Sequence, residues 1–209
     1  MLPLVARLLA KSVLFPLGTL VHEKYVIFLA GILVTNLSFI LAAICLYILT
    51  YEVFADRRIA FASALSFCVT PSCVFMSSMY SESLFALLSF AGMISFTKKY
   101  YIYASVAWGI ASATRSNGIL YVGFFIYEFI IRSLLAKEPF RKLLVGSALS
   151  TLLSMVVVSG FVLVQWQGYT LYCLKEKLRP WCDNRPPLIY SFVQRFYWDV
   201  GFLRVLCSL

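Results

Sequence analysis

The sequence predicts an all-α protein that crosses a membrane several times, and three observations carry that prediction. Hydrophobic residues make up 62% of the 209-residue chain and charged residues 13%, against about half and about a quarter in an ordinary soluble domain. The apolar residues come in long runs, not in the period-2 or period-3.6 alternation of a one-sided core. Val26–Tyr51 and Leu143–Trp166 hold no charged residue, and each exceeds the ~20 residues that an α-helix needs to cross a ~30 Å hydrocarbon layer.

Taken in order, Met1–Val21 sets Arg7 and Lys11 in an apolar stretch broken by Pro3 and Pro16. No small-residue cleavage site follows, so it reads as a membrane-lying or partly inserted segment and not as a removed signal peptide. The basic residues then order the rest. They cluster at Arg57-Arg58, at Lys98-Lys99, and at Lys137 with Arg141-Lys142, with 39 and 37 residues between successive clusters. Each interval suits two crossings, out and back. Because Lys and Arg accumulate on the cytoplasmic side, all three clusters belong there.

One topology satisfies them: crossings or half-crossings at 26–51, 59–79, 80–97, 100–116, 118–136 and 143–166. On the opposite face lie His22–Lys24, the turns of both pairs and a loop over 167–187. Residues 188–209 form an interfacial segment or the start of a further helix, with Trp181, Tyr190, Tyr197 and Trp198 suited to headgroup depth. The net charge of +9 therefore marks membrane orientation and not an affinity for nucleic acid.

The two turns on the non-cytoplasmic face are the informative segments. Thr70 precedes Pro71, which disfavours helix at Thr70. If the chain turns at Pro71, Ile59–Val69 is a half-crossing buried against other helices. In the second pair, Asn117 and Gly118 of Arg115–Gly118 suit a left-handed or tight-turn backbone. Glu82 and Arg115 are the two charges placed at membrane depth away from the basic clusters. A charge there costs several kcal/mol and raises a functional hypothesis. Two readings stay open: a structural ion pair locking two helices, or a ligand site in which Arg115 clamps a lipid phosphate with its planar fork and Glu82 holds a sugar hydroxyl.

Other candidates are weaker. Glu128 and Arg132 have the i,i+4 spacing of a surface pair. Tyr190, Gln194 and Asp199 share one stripe if their segment is helical, lining a cavity or forming an ordinary interfacial face. The six cysteines show no CxxC spacing, which argues against a metal site. Cys173 and Cys182 could form a disulfide if their polar segment faces an oxidising lumen.

Three blocks in order, TPSCVFMSSMYSESLFALLSFAGM (Thr70–Met93), ATRSNGILYVGF (Ala113–Phe124) and the tail WC…PPLIYSFVQRFYWDVGFLR (Trp181–Arg204), resemble the PIG-V family. Its members are mannosyltransferases that add the second mannose to the glycosylphosphatidylinositol (GPI) anchor precursor. The resemblance implies a GT-C type transmembrane bundle in the endoplasmic reticulum membrane. It implies dolichyl-phosphate-mannose as donor, the one-mannose GPI precursor as acceptor, inversion at the sugar carbon, and no metal or other cofactor. An accessory small membrane subunit is a further expectation. On the matching motifs it implies donor-phosphate or sugar binding by Arg115, Asn117, Tyr80 and Ser81, with Glu82 as a catalytic candidate.

Members of that family carry the expected catalytic base, an aspartate, in an early Trp-Asp loop. Met1–Lys24 has no aspartate, and Trp198-Asp199 belongs to the tail block. The chain thus reads as an internal portion, cut at both ends, and the base is expected outside it. A non-catalytic subunit or inactive isoform, or less favourably a transporter using Glu82 and Arg115 in a substrate path, are the alternatives.

The orientation has a direct test. A glycosylation acceptor engineered between Gly168 and Arg185 should be modified, and one beside Lys98-Lys99 should not. The reverse pattern overturns the assignment of sides.

Overall fold

A computed structural model describes residues 2–12, 22–71, 73–174, 179–183 and 187–197. These fold as helices, with no strand among the described residues: α1 Leu2–Ser12, α2 Glu23–Phe54, α3 Arg57–Val69, α4 Cys73–Ser77, α5 Glu82–Thr97 and α6 Tyr101–Thr114. Then come α7 Ser116–Leu135, α8 Phe140–Tyr172 and α9 Ile189–Phe196. α7 is continuous but irregular, opening in a 3₁₀ turn, Ser116–Tyr121, and carrying a π-helical stretch, Tyr127–Ile131.

α2, α7 and α8 are long and apolar enough to cross a membrane. The outer face of α2 exposes Leu33, Leu37, Ile40, Ile44 and Ile48, an unbroken apolar surface that only lipid or another helix can cover. The chain is a membrane protein.

The helices line up so that the basic clusters share one end. Lys98 pairs with Glu52 at 2.9 Å, tying the α5–α6 turn to the end of α2. There Ala55 takes a left-handed conformation and Asp56 caps α3 by accepting the Arg58 N–H at 2.7 Å, so two residues reverse the chain. Glu128 accepts from Arg132 at 2.7 Å, and the Tyr101 hydroxyl lies 3.4 Å from the same carboxylate oxygen. At this end Glu128 thus joins α7 to α6 as well as pairing along its own helix. At the opposite end α1 packs on α2 through Ala6, Val26 and Ala30.

Several boundaries differ from the sequence expectations. A single segment over 59–79 does not form, because α3 stops at Val69. Thr70 is extended (φ −58°, ψ 142°), as a residue before proline must be, and the short α4 follows. α3, 13 residues long, rises only about 20 Å. α6 ends at Thr114 and not at residue 116, which leaves Arg115 extended just past it. α8 runs through Tyr172, so the first part of the expected loop 167–187 is helical. Gln167–Tyr172 is more polar but holds no charge and no proline, and nothing before the Cys173–Cys182 disulfide stops the helix. α9 is described only to Phe196, and residues 198–209 lie outside the described set.

The core forms where α5, α6, α7 and α8 meet around Trp108, which is fully buried. Its ring stacks on Tyr121 at 4.9 Å and its indole N–H donates to the Ser89 carbonyl at 3.3 Å. Gly92 leaves the space that the indole fills. Beside it, α6 and α8 approach until their backbones touch. A Cβ on Gly109 would meet the Val156 carbonyl oxygen at 2.8 Å, and one on Gly160 would collide with the Gly109 carbonyl. Ser112, one turn on, shares its hydroxyl proton between the Gly109 carbonyl at 2.8 Å and the Val157 carbonyl of α8 at 2.5 Å. Small residues and a hydroxyl crossing between backbones are how helices associate where lipid removes the hydrophobic drive.

Gly160→Leu should therefore cost at least the ~1–3 kcal/mol of an overpacked site, read as a lower melting temperature in detergent. Gly123→Ala, where a Cβ meets nothing within 4 Å, should leave that temperature unchanged.

Candidate functional site

At the end away from the basic clusters, two helix termini bring opposite charges together. Glu82 is the first residue of α5, and Arg115 directly follows the last residue of α6. An anion at a helix N-terminus and a cation at a C-terminus each complement the helix dipole, so each charge sits where its own helix favours it. The Arg115 guanidinium donates to Glu82 Oε1 and lies 6.0 Å from the centre of the Phe85 ring. The side chains are only partly shielded, 37% exposed for Arg115 and 28% for Glu82. Yet the second carboxylate oxygen, Oε2, is buried and has no hydrogen-bond partner among the described residues. The pair is thus half-used: one carboxylate oxygen is neutralised by the guanidinium, and the other is enclosed with its hydrogen-bonding capacity unfilled.

Both turns are held from beneath. Under Glu82, the Ser83 hydroxyl donates to the Met76 carbonyl. The Asn36 amide of α2 donates to Ile32 at 2.9 Å and reaches the Ser77 carbonyl at 3.3 Å. Met79 lies against Gly31, where a Cβ would meet its methyl at 2.8 Å. Under Arg115, the Gly118 N–H donates back to the Arg115 carbonyl at 3.0 Å.

Neither Asn117 nor Gly118 takes a positive φ, so of the two backbones expected there the tight turn forms and the left-handed one does not. The segment is a 3₁₀ turn, and glycine is required at 118 because a Cβ would strike the Ser112 backbone of α6. Tyr121, from the same turn, faces Phe85 at 6.2 Å.

The other sequence candidates distribute around this pair. Ser81 precedes Glu82 without capping α5 through its side chain. Tyr80 is exposed, with its ring edge on Phe75 at 5.8 Å, and Asn117 is exposed on the adjacent turn. All three border the Glu82–Arg115 pair along the chain, but no hydrogen bond joins them to it among the described residues.

Tyr190 and Gln194 lie elsewhere, on α9, where the Gln194 amide donates to the Tyr190 oxygen at 2.6 Å and Tyr190 packs edge-on to Phe161 of α8. Asp199 lies outside the described residues. Cys173 and Cys182 are joined by a disulfide that closes a short loop after α8.

Sequence reasoning missed Asn36, Ser83 and the Gly31–Met79 contact. Asn36, the one side-chain amide inside the charge-free run of α2, carried a signal, since an amide at membrane depth needs a partner.

The ion pair should behave as a coupled unit. For a half-shielded pair, Arg115→Ala should cost about 1–3 kcal/mol, between the exposed and buried limits, and Glu82→Ala a similar amount. The double variant should recover part of the summed loss in detergent melting. Strict additivity would mean the two side chains do not interact.

The family described as Mannosyltransferase (PIG-V) matches residues 1–206. A GPI alpha-1,6-mannosyltransferase 2 of Rattus norvegicus is 34% identical over 96% of this chain and 46% of its own length. The Homo sapiens protein of that name is 31% identical over the same shares. A GPI mannosyltransferase 2 of Schizosaccharomyces pombe is 35% identical over 78% of this chain and 35% of its own. The chain spans about half the length, or less, of these curated relatives. No solved structure matches. With a match running from its first residue to 206, in an all-helical membrane bundle, the chain belongs to the PIG-V mannosyltransferase family.

Proposed function

We propose that this chain is part of a GPI alpha-1,6-mannosyltransferase of the endoplasmic reticulum membrane, with the Glu82–Arg115 pair at its donor site. The observation that carries the reading is the family match over nearly the whole chain, in which two charged helix termini meet at the end away from the basic clusters. The Cys173–Cys182 disulfide beyond α8 supports placing that end in an oxidising lumen. The basic clusters support placing the other end in the cytoplasm.

In this reading the donor is dolichyl-phosphate-mannose and the acceptor a one-mannose GPI precursor. The acceptor's 6-hydroxyl oxygen attacks C1 of the donor mannose from the face opposite the phosphate. The C1–O bond to dolichyl phosphate breaks, the configuration inverts, and the hydroxyl proton passes to a carboxylate base that is assigned to no residue of this chain. Charge then develops on the leaving phosphate. Arg115, already aimed by its helix end and by Phe85, presents a planar donor fork to those oxygens. Glu82 Oε1 holds the guanidinium in place, and Oε2 accepts a sugar hydroxyl. Tyr80, Ser81 and Asn117 border the donor sugar. Neutralising the phosphate with a side chain leaves no step that calls for a cofactor. A small accessory membrane subunit fits the exposed apolar faces.

The test uses the full-length protein that carries this chain, with transfer normalised to membrane abundance and accumulation of the one-mannose intermediate as readout. Arg115→Lys keeps the charge but loses the fork, and should lower turnover about 10²-fold, the scale of one lost transition-state donor. Glu82→Gln should also lower transfer without loss of protein. Wild-type turnover in Arg115→Lys would return the pair to a helix-locking role, as in a non-catalytic subunit.

A further inference from the structure

A second site lies outside the Glu82–Arg115 pair. Beyond the end of α8, a cavity of about 470 Å³ opens between the disulfide-closed loop and α9, a size typical of small-ligand pockets. One wall is the apolar face of α9, where Ile189, Phe192, Val193 and Phe196 recur at the i, i+3, i+4, i+7 spacing of a single helix stripe. The other wall is Tyr172, the last residue of α8, with Arg179 and Trp181 from the loop.

The walls are built features. Trp181 is only 5% exposed, and the Cys173–Cys182 bond pins both ends of its loop. α9 is pinned too: the Ile189 N–H donates to Gln165 of α8 at 3.1 Å, and the Ile189 side chain fills the space left by Gly168. Arg179 is exposed at the rim, its guanidinium 6.0 Å from the centre of the Tyr172 ring.

We propose that this cavity binds the phosphate and adjoining chain of the acceptor glycolipid, a phosphatidylinositol derivative, with Arg179 on the phosphate and the α9 stripe against the hydrocarbon. The depth fits a lipid headgroup. The uncharged run Leu143–Trp166 rises about 36 Å and so already spans the hydrocarbon layer, and Tyr172 stands a further ~9 Å along the helix, among the headgroups. An arginine fork beside an apolar wall at that depth matches an anionic lipid and not a free sugar.

The separation between sites selects the acceptor over the donor. Ser112 meets Val157 of the parallel helix α8. Arg115 lies one turn further in the same direction, and Tyr172 lies about 22 Å beyond Val157, which leaves about 17 Å along the axis between the two. One phosphate cannot occupy both arginines. In a glycosylphosphatidylinositol the phosphate sits at the inositol and the accepting sugar at the far end of the glycan, so the glycan runs from Arg179 toward the Glu82–Arg115 pair while the phosphate stays at Arg179. The assignment rests on reading the chain as part of a GPI mannosyltransferase.

The experiment is photo-labelling of the full-length protein in phosphatidylcholine nanodiscs, with peptide mapping of Ile189–Phe196. One probe is phosphatidylinositol with a diazirine in its acyl chain, and the other is phosphatidylcholine with the same diazirine. The phosphatidylinositol probe should label this helix about tenfold more than the phosphatidylcholine probe, the scale of one charge-assisted contact. Arg179→Ala should remove that preference, and Phe192→Ala, acting from the other wall, should lower the phosphatidylinositol label. A polyprenyl phosphate competitor should leave it unchanged.

Equal labelling by both probes would make the cavity an unselective lipid groove, and competition by polyprenyl phosphate would make it a donor site. Either result, or an undiminished label in both variants, overturns the proposal. Because labelling requires no mannose transfer, its failure is separable from failure of the Arg115 and Glu82 variants to lose activity.

Discussion

The contact between the α6 and α8 backbones is the constraint on which the rest of the molecule depends. Gly160 meets the Gly109 carbonyl with no room for a methyl group on either side. Lipid supplies no hydrophobic drive for helices to associate, so what holds them is close packing and hydrogen bonding between their own backbones. The Ser112 hydroxyl, reaching the Val157 carbonyl at 2.5 Å, fixes the register of that contact. Arg115 follows within one turn, so its height against α8 is set by glycines and a serine that carry no chemistry themselves. The Trp108 stack on Tyr121 holds α7 to the same point, and with it the 3₁₀ turn that leaves Arg115.

A second constraint comes from helices that stop short. α3, α5 and α6 are each too short to span the layer squarely, and their ends fall at membrane depth, where unpaired backbone groups are costly. The ends are resolved by polar side chains and by the helix dipoles. Glu82 starts α5, Arg115 follows α6, and Asn36 and Ser83 hold the carbonyls of the intervening turn. Ending these helices within the layer therefore sets two opposite charges side by side. The Glu82–Arg115 pair joins the two helix ends while one carboxylate oxygen keeps no hydrogen bond among the described residues.

Membrane character and the helix break beside Pro71 were legible because they rest on strong local signals: uncharged runs and a proline. Cys173 and Cys182 stood out as a pair in one polar segment. The extent of α8 was not legible, because Gln167–Tyr172 is polar enough to read as loop yet keeps helical backbone where no breaker intervenes. Gly118 was legible as a glycine of a tight turn, but not its further need, which arises from the Ser112 backbone of a neighbouring helix and not from its own φ. The supports from Asn36 and Met79 were invisible for the same cause, being contacts made across about forty residues of sequence. Roles for Tyr80, Ser81 and Asn117 came from resemblance alone, and their positions beside the pair add proximity without a bond.

The length of α8 has a mechanical consequence. Its 33 residues extend about 50 Å, against a hydrocarbon layer of about 30 Å. The surplus must be taken up by tilt or by protrusion, and the division between them follows the thickness of the host bilayer. The disulfide loop rides on the protruding end, while the Glu82–Arg115 pair is anchored lower, where α6 meets α8. A thicker membrane buries more of the rod and sets the headgroups further above the pair, and a thinner one brings them closer to it. The distance between headgroup and buried charges, seen from the lipid side, is thus tunable by lipid composition without any change in the protein's own contacts.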